Sequence, residues 1–193
     1  MEQVTVNVYE YNELTNEAKE RVLNEVSSWD LYSWEEENQA TLDSFCNEWG
    51  ITNLNWEYGG FRPSHISGDL NLDEEEKLKG LRLRTWIINN HWEDLYQQKY
   101  IGWLKTQKRA HHSKCQIEEA MPTGYYLDNA IRQPIYKFLQ NPNGQDIEDI
   151  LKDCLEEWVD ACTKESEYHY SKEGVEEFIT LNEYRFLKNG QIF

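Results

Sequence analysis

The chain has 193 residues, with 36 Asp and Glu against 19 Lys and Arg for a net charge of −17, and it carries 8 Trp, 12 Tyr and 6 Phe. That many aromatics supply enough buried area for a packed core, and the length fits one domain. The charge argues against a general nucleic-acid binder, because phosphate contacts need Lys and Arg. No apolar run reaches 18 residues, which excludes a membrane-spanning helix.

Residues 3–9 alternate Val4, Val6 and Val8 with Thr5 and Asn7, predicting a first strand. Thr15 is placed to cap a helix whose apolar positions Ala18, Val22, Leu23, Val26 and Trp29 recur at helical spacing. Ser33 and Glu36 form a capping-box pattern ahead of a second helix with Leu42, Phe45, Cys46 and Trp49 on one face, closed by Gly50. Residues 51–58 and 65–72 then predict a hairpin across Gly59, Gly60 and Pro63, with Ile66, Leu70 and Leu72 on one alternating face. Leu81, Leu83 and Thr85 alternate with Arg82 and Arg84; a third strand is the preferred reading and a helix start the alternative. Residues 92–103 predict a helix, and a strand follows near 113–120. Residues 127–139 predict a helix that Pro134 kinks or restarts. Residues 146–163 form the clearest helix, with Ile147, Ile150, Leu151, Cys154, Leu155, Trp158 and Cys162 as its stripe. A last helix starts at Ser171 and carries Val175, Phe178 and Ile179, and Asn189-Gly190 predicts a closing hairpin turn. The expected fold is therefore α+β, a single domain over 1–193. Its antiparallel sheet, centred on residues 56–72, would be covered by the 15–30, 33–49 and 146–163 helices.

The charge is uneven. Residues 1–76 hold 18 acids and 3 bases, residues 77–114 hold 2 acids and 9 bases, and residues 115–193 hold 16 acids and 7 bases. The central basic segment also carries Trp86, Trp92, Tyr96, Tyr100 and Trp103, which marks it as a candidate partner-specific element. Two acidic groups stand out as candidate partner-binding surfaces. One is the run Asp73, Glu74, Glu75 and Glu76. The other is Asp149, Asp153, Glu156 and Asp160, which fall three or four apart and so share a helix face beside the apolar stripe. Such a row can mimic spaced phosphates and dock on an Arg/Lys groove.

No complete catalytic motif is present: no GxSxG, no Gly-rich phosphate loop and no activated-cysteine context. The four cysteines lack CxxC spacing and fit reduced, buried thiols. His111, His112 and Cys115 are metal-capable, but adjacent histidines on a strand point to opposite faces. His65 and Asp69 share a strand face but stand roughly 13 Å apart. The expectation is no catalytic residue, no metal and no cofactor. The N-terminus lacks a basic patch and an apolar core, so no export is expected and the cytoplasm is the expected compartment.

Three stretches together resemble a family of small acidic proteins encoded by bacteriophages and prophages. They are YEYNELTNEAKERV at 9–22, Gly59-Gly60-Phe61 with Ser67-Gly68-Asp69 in the hairpin, and the C-terminal segment from Glu167-Tyr168 through Asn182-Glu183-Tyr184-Arg185-Phe186 to Asn189-Gly190. Residues 77–125 match only loosely. The family's Gln-Gly-Asp-Gly-Ala turn is replaced here around Arg62-Pro63-Ser64-His65. The resemblance implies a phage or mobile-element origin and no assigned reaction. By analogy with small acidic phage proteins that block bacterial defence, the expected function is a non-enzymatic, anti-CRISPR-like inhibitor. Its acidic surface would compete with nucleic acid for a CRISPR nuclease or similar effector in the host cytoplasm, without direct nucleic-acid or membrane binding. The alternatives are an antitoxin-like or other regulatory binding module, and a cryptic metal enzyme built around His65, His111 and His112.

Overall fold

Most helical stability comes from packing an apolar face, and a two-stranded hairpin is marginal alone, so the apolar faces of this chain must find partners. A computed structural model describes residues 6–59, 63–70, 78–103 and 113–193, with side chains left aside at 98–103 and 113–117. In chain order the described elements are a 3-10 turn (Tyr11–Glu13), α1 (Asn16–Val26), α2 (Glu35–Trp49), β1 (Ile51–Glu57), β2 (His65–Leu70), α3 (Gly80–Leu95), β3 (Tyr96–Trp103), β4 (Ser113–Glu119), α4 (Leu127–Gln140), α5 (Ile147–Tyr170) and α6 (Lys172–Leu181). The fold is α+β. The described residues gather into two compact units, one of residues 1–34 and 163–193, the other of residues 35–162.

The first unit is built from the two ends of the chain. Thr15 Oγ1 accepts the Ala18 N–H at 3.4 Å and caps α1, and Ser171 Oγ accepts the Gly174 N–H at 3.1 Å and caps α6. Val22 and Val26 of α1 are fully buried with Val175, Ile179 and Phe186, so α6 takes the place expected for the central hairpin as the partner of this stripe. The predicted first strand shrinks to one bridge. Val6 and Val8 are exposed, while Tyr9 exchanges both backbone hydrogen bonds with Phe186, at 2.8 and 2.9 Å. Alternation alone overreached there because, among the described residues, no second strand runs alongside Val6 and Val8. Residues 3–5 of that expected strand lie outside the described residues. The C-terminal turn forms at Asn189-Gly190, with Phe186 bridging Ile192. Gly190 has φ +89°, and a Cβ there would stand 2.7 Å from the Ala18 carbonyl oxygen.

The second unit centres on Trp158. This residue is fully buried on α5 and its indole N–H donates to the Asn38 carbonyl of α2 at 3.1 Å. Trp56 and Tyr58 stack on each other at 5.3 Å and both set their rings edge-on to Trp158, at 5.4 and 5.6 Å. The hairpin therefore packs against α5 as expected. Its strands are antiparallel, pairing Ile51 with Leu70 and Trp56 with Ile66, with a register irregularity between Thr52 and Asn55. Among the described residues this sheet has two strands, and β3 and β4 form a separate antiparallel pair. The expected α2 face is buried at Leu42, Phe45, Cys46 and Trp49, and the α5 stripe at Ile147, Ile150, Leu151, Cys154, Leu155, Trp158 and Cys162.

The central segment departs most from expectation. Residues 80–95 are helix, not strand, because the buried positions are Leu83, Ile87 and Leu95, at fourfold spacing, while Leu81 lies exposed. Residues 96–103 are strand, not helix, and pair with 113–119. The switch occurs without a loop: the Tyr136 hydroxyl donates to the Leu95 carbonyl at 2.9 Å and the Ala120 N–H donates to the same oxygen, satisfying the end of α3. Of the segment's aromatics, Trp86 and Tyr96 pack against the core of this unit, and the Tyr100 and Trp103 side chains lie outside the described residues. α4 runs without a break through Pro134. Among the described residues no helix is long and apolar enough to cross a membrane.

Candidate functional site

α5 buries one face and turns the other to solvent, which decides where its carboxylates go. Asp149, Asp153, Glu156 and Asp160 are all exposed. Asp153, Glu156 and Asp160, joined by Glu157, line one wall of an open cleft of about 640 Å³. The opposite wall is α4 and the loop after it, including Pro134, Lys137, Phe138, Asn141, Asn143 and Gln145. Lys137 is the single cation among these lining residues, so the cleft is strongly negative. Asp149, the fourth residue of the expected row, does not line it. Its backbone N–H instead donates to Asp146 Oδ1 at 3.0 Å, and that bond, with Lys79 at 3.3 Å, holds the Asp146 carboxyl below its ordinary pKa. Gln145 Nε2 donates to Asp153 Oδ2 at 2.7 Å and ties the loop to the acidic wall. The run Asp73, Glu74, Glu75 and Glu76 lies outside the described residues, as do His111, His112, Lys105, Lys108 and Arg109. His65 is exposed at the start of β2, and Asp69, also exposed, accepts from Asn53 Nδ2 at 2.7 Å.

A second polar group is buried, and no motif in the sequence announces it. Arg132 of α4 is fully buried, with its guanidinium 5.8 Å from the centre of the Phe45 ring. Its Nη2 bonds Glu48 Oε2, and its Nη1 lies 3.7 Å from Asp128 Oδ1. Asp128 is fully buried too. Its carboxylate accepts the Thr123 N–H at 3.0 Å, the Thr123 hydroxyl at 2.9 Å and the Gly124 N–H at 2.9 Å. Beside Glu48 stands His91, where α3 kinks with φ −124° and ψ 18°. The imidazole stacks on Trp49 with 4.0 Å between centroids, and its Nδ1 lies 3.5 Å from Asp94 Oδ2, an ion-pair distance too long for a good hydrogen bond. Burial pushes the His91 pKa down against the pull of Asp94, so the ring is neutral at neutral pH. Burial likewise pushes the Glu48 carboxyl up, opposed by Arg132. Among the described residues Glu48, His91 and Asp94 form a metal-capable group, each offering one donor atom within 4.8 Å of the others.

The cysteines behave as expected where they are described: Cys46, Cys154 and Cys162 are buried and outside any disulfide, and burial pushes Cys46 up to about 12, with Asp43 adding to the rise. A thiol held that far from thiolate is no nucleophile at neutral pH. The chain matches no protein-family model, no curated protein and no solved structure.

Proposed function

We propose that this protein is a non-enzymatic, phage-encoded inhibitor that binds a basic, nucleic-acid-binding surface of a bacterial defence effector, with a CRISPR nuclease as the leading target. One observation carries the reading. Asp153, Glu156, Glu157 and Asp160 line one side of an open cleft whose lining includes a single cation. Carboxylates held at one- to four-residue spacing on a rigid helix present several negative charges to one partner surface. Exposed pairs contribute only about 0–1 kcal/mol each, so the row acts mainly by steering association. Pro134 in the same cleft offers apolar contact beside the charge.

The test is a pull-down from host lysate, followed by titration of the captured partner. A nucleic-acid-guided nuclease whose affinity falls with salt and with loss of the cleft carboxylates supports the reading. A small basic toxin as the captured partner replaces it with the antitoxin-like alternative.

A further inference from the structure

We infer that Glu48, His91 and Asp94 form a zinc-type divalent cation site that joins α2 to the last turn of α3. Their donors lie within 4.8 Å of one another. A tetrahedral ion with bonds of about 2.0–2.1 Å places its donors about 3.3 Å apart. The His91–Asp94 separation of 3.5 Å already approaches that edge. Asp94, with its side chain 49 % exposed, has room to rotate and close the rest.

The second line of argument is polar accounting. The Glu48 side chain is nine-tenths buried and spends Oε2 on Arg132. Its Oε1 and the His91 Nδ1 are both buried, and neither makes a hydrogen bond of good geometry among the described residues: the Trp49 indole N–H beside Glu48 is itself unsatisfied, and Asp94 stands 3.5 Å from His91. Two buried polar atoms served this poorly, with a third carboxylate at the solvent edge, are costly as they stand. A dication satisfies them together. Charge agrees: Glu48, Asp94 and Asp128 against Arg132 leave a formal −2 around a neutral imidazole. One imidazole and two carboxylates suit zinc, water completing the shell on the exposed Asp94 side. Arg132 then orients the Glu48 ligand from outside the site. The inference stands apart from the acidic cleft and does not depend on it.

The test uses the full chain, stripped with chelator and titrated with zinc chloride by calorimetry, with melting temperature and tryptophan emission followed in parallel. One zinc per chain should bind, melting should rise, and emission should change because Trp49 stacks on His91. Asp94→Asn, at the surface, should keep the metal-free emission and melting of the parent yet weaken zinc binding at least about tenfold, as should His91→Ala. His111→Ala/His112→Ala should bind like the parent. The inference is overturned by absence of stoichiometric binding, by unchanged binding in Asp94→Asn and His91→Ala, or by loss of zinc in the His111→Ala/His112→Ala protein.

Discussion

Arg132 and Asp128 are both fully buried, and each depends on the other's charge. Asp128→Ala would leave the buried Arg132 with Glu48 as its remaining charge partner and would take the acceptor from the Thr123 and Gly124 N–H groups, so it should cost about 3 kcal/mol in urea unfolding. The loss should exceed that of any exposed ion-pair member, such as Lys152, whose bond to Glu148 lies at the surface. Backbone geometry sets a second contrast. Gly190 sits at positive φ with the Ala18 carbonyl where a Cβ would go, whereas nothing stands within 4 Å of a Cβ at Gly144 and its φ is ordinary. Gly190→Ala should destabilise by at least about 1 kcal/mol, while Gly144→Ala should be neutral or slightly stabilising. His91 sets a pH dependence. Its folded pKa lies below the ordinary value of about 6.5, so the unfolded chain binds the proton first as pH falls. His91 therefore contributes stability that is full above pH 6.5 and is lost as pH drops through the folded value. Melting temperature measured from pH 7.5 to 5 should fall less steeply in His91→Gln than in the parent.

At the scale of elements, α5 separates its two jobs by face. Its apolar stripe packs on the hairpin through Trp158, and its carboxylates line the cleft. The cleft geometry divides the acidic row: Asp153→Asn/Glu156→Gln/Asp160→Asn should slow association with a basic partner, whereas Asp149→Asn alone should leave it nearly unchanged. Stopped-flow association rates at low salt distinguish the two, and equal effects would remove the cleft as the contact surface. The central segment shows a different division. Arg84 donates to the Leu139 carbonyl at 2.8 Å and Lys79 pairs with Asp146, so two of its cations are spent inside the fold. That weakens the case for the described part of this segment as a partner-specific basic element. Helix gives way to strand between Leu95 and Tyr96, where Tyr136 and Ala120 arrive from elsewhere in the chain to bond the Leu95 carbonyl.

Over the whole molecule, a net charge of −17 means that self-repulsion opposes folding. Salt screens such repulsion over roughly 8 Å at physiological ionic strength. Raising salt from low to physiological levels should therefore raise the melting temperature, while the same change weakens binding to a basic partner. Opposite signs for the two quantities, measured on one preparation, are the expected result. Parallel signs would mean that local ion pairs, not net charge, govern one of them.

The helices at 16–26, 35–49 and 172–181, the first two-thirds of α5 up to residue 163, and the turn at residue 190 were readable from the chain because each is specified locally: a cap, a stripe of fixed period, a glycine; the continuation of α5 to Tyr170 was not. The acidic row was readable for the same reason, since residues three or four apart on one helix must share a face. Residues 80–103 were not readable, because Leu81, Leu83 and Thr85 fit a strand as well as Leu83 and Ile87 fit a helix. Burial against the core, with Leu83 and Ile87 inside and Leu81 out, decided between them. The Glu48–Arg132–Asp128 chain and the Glu48, His91 and Asp94 group were invisible for a stronger reason. Glu48 and Arg132 are 84 positions apart, and His91 belongs to an element that the chain alone does not identify as helix. Only packing α2, α3 and α4 around one core brings those charges together, since no local preference selects a partner that distant in sequence.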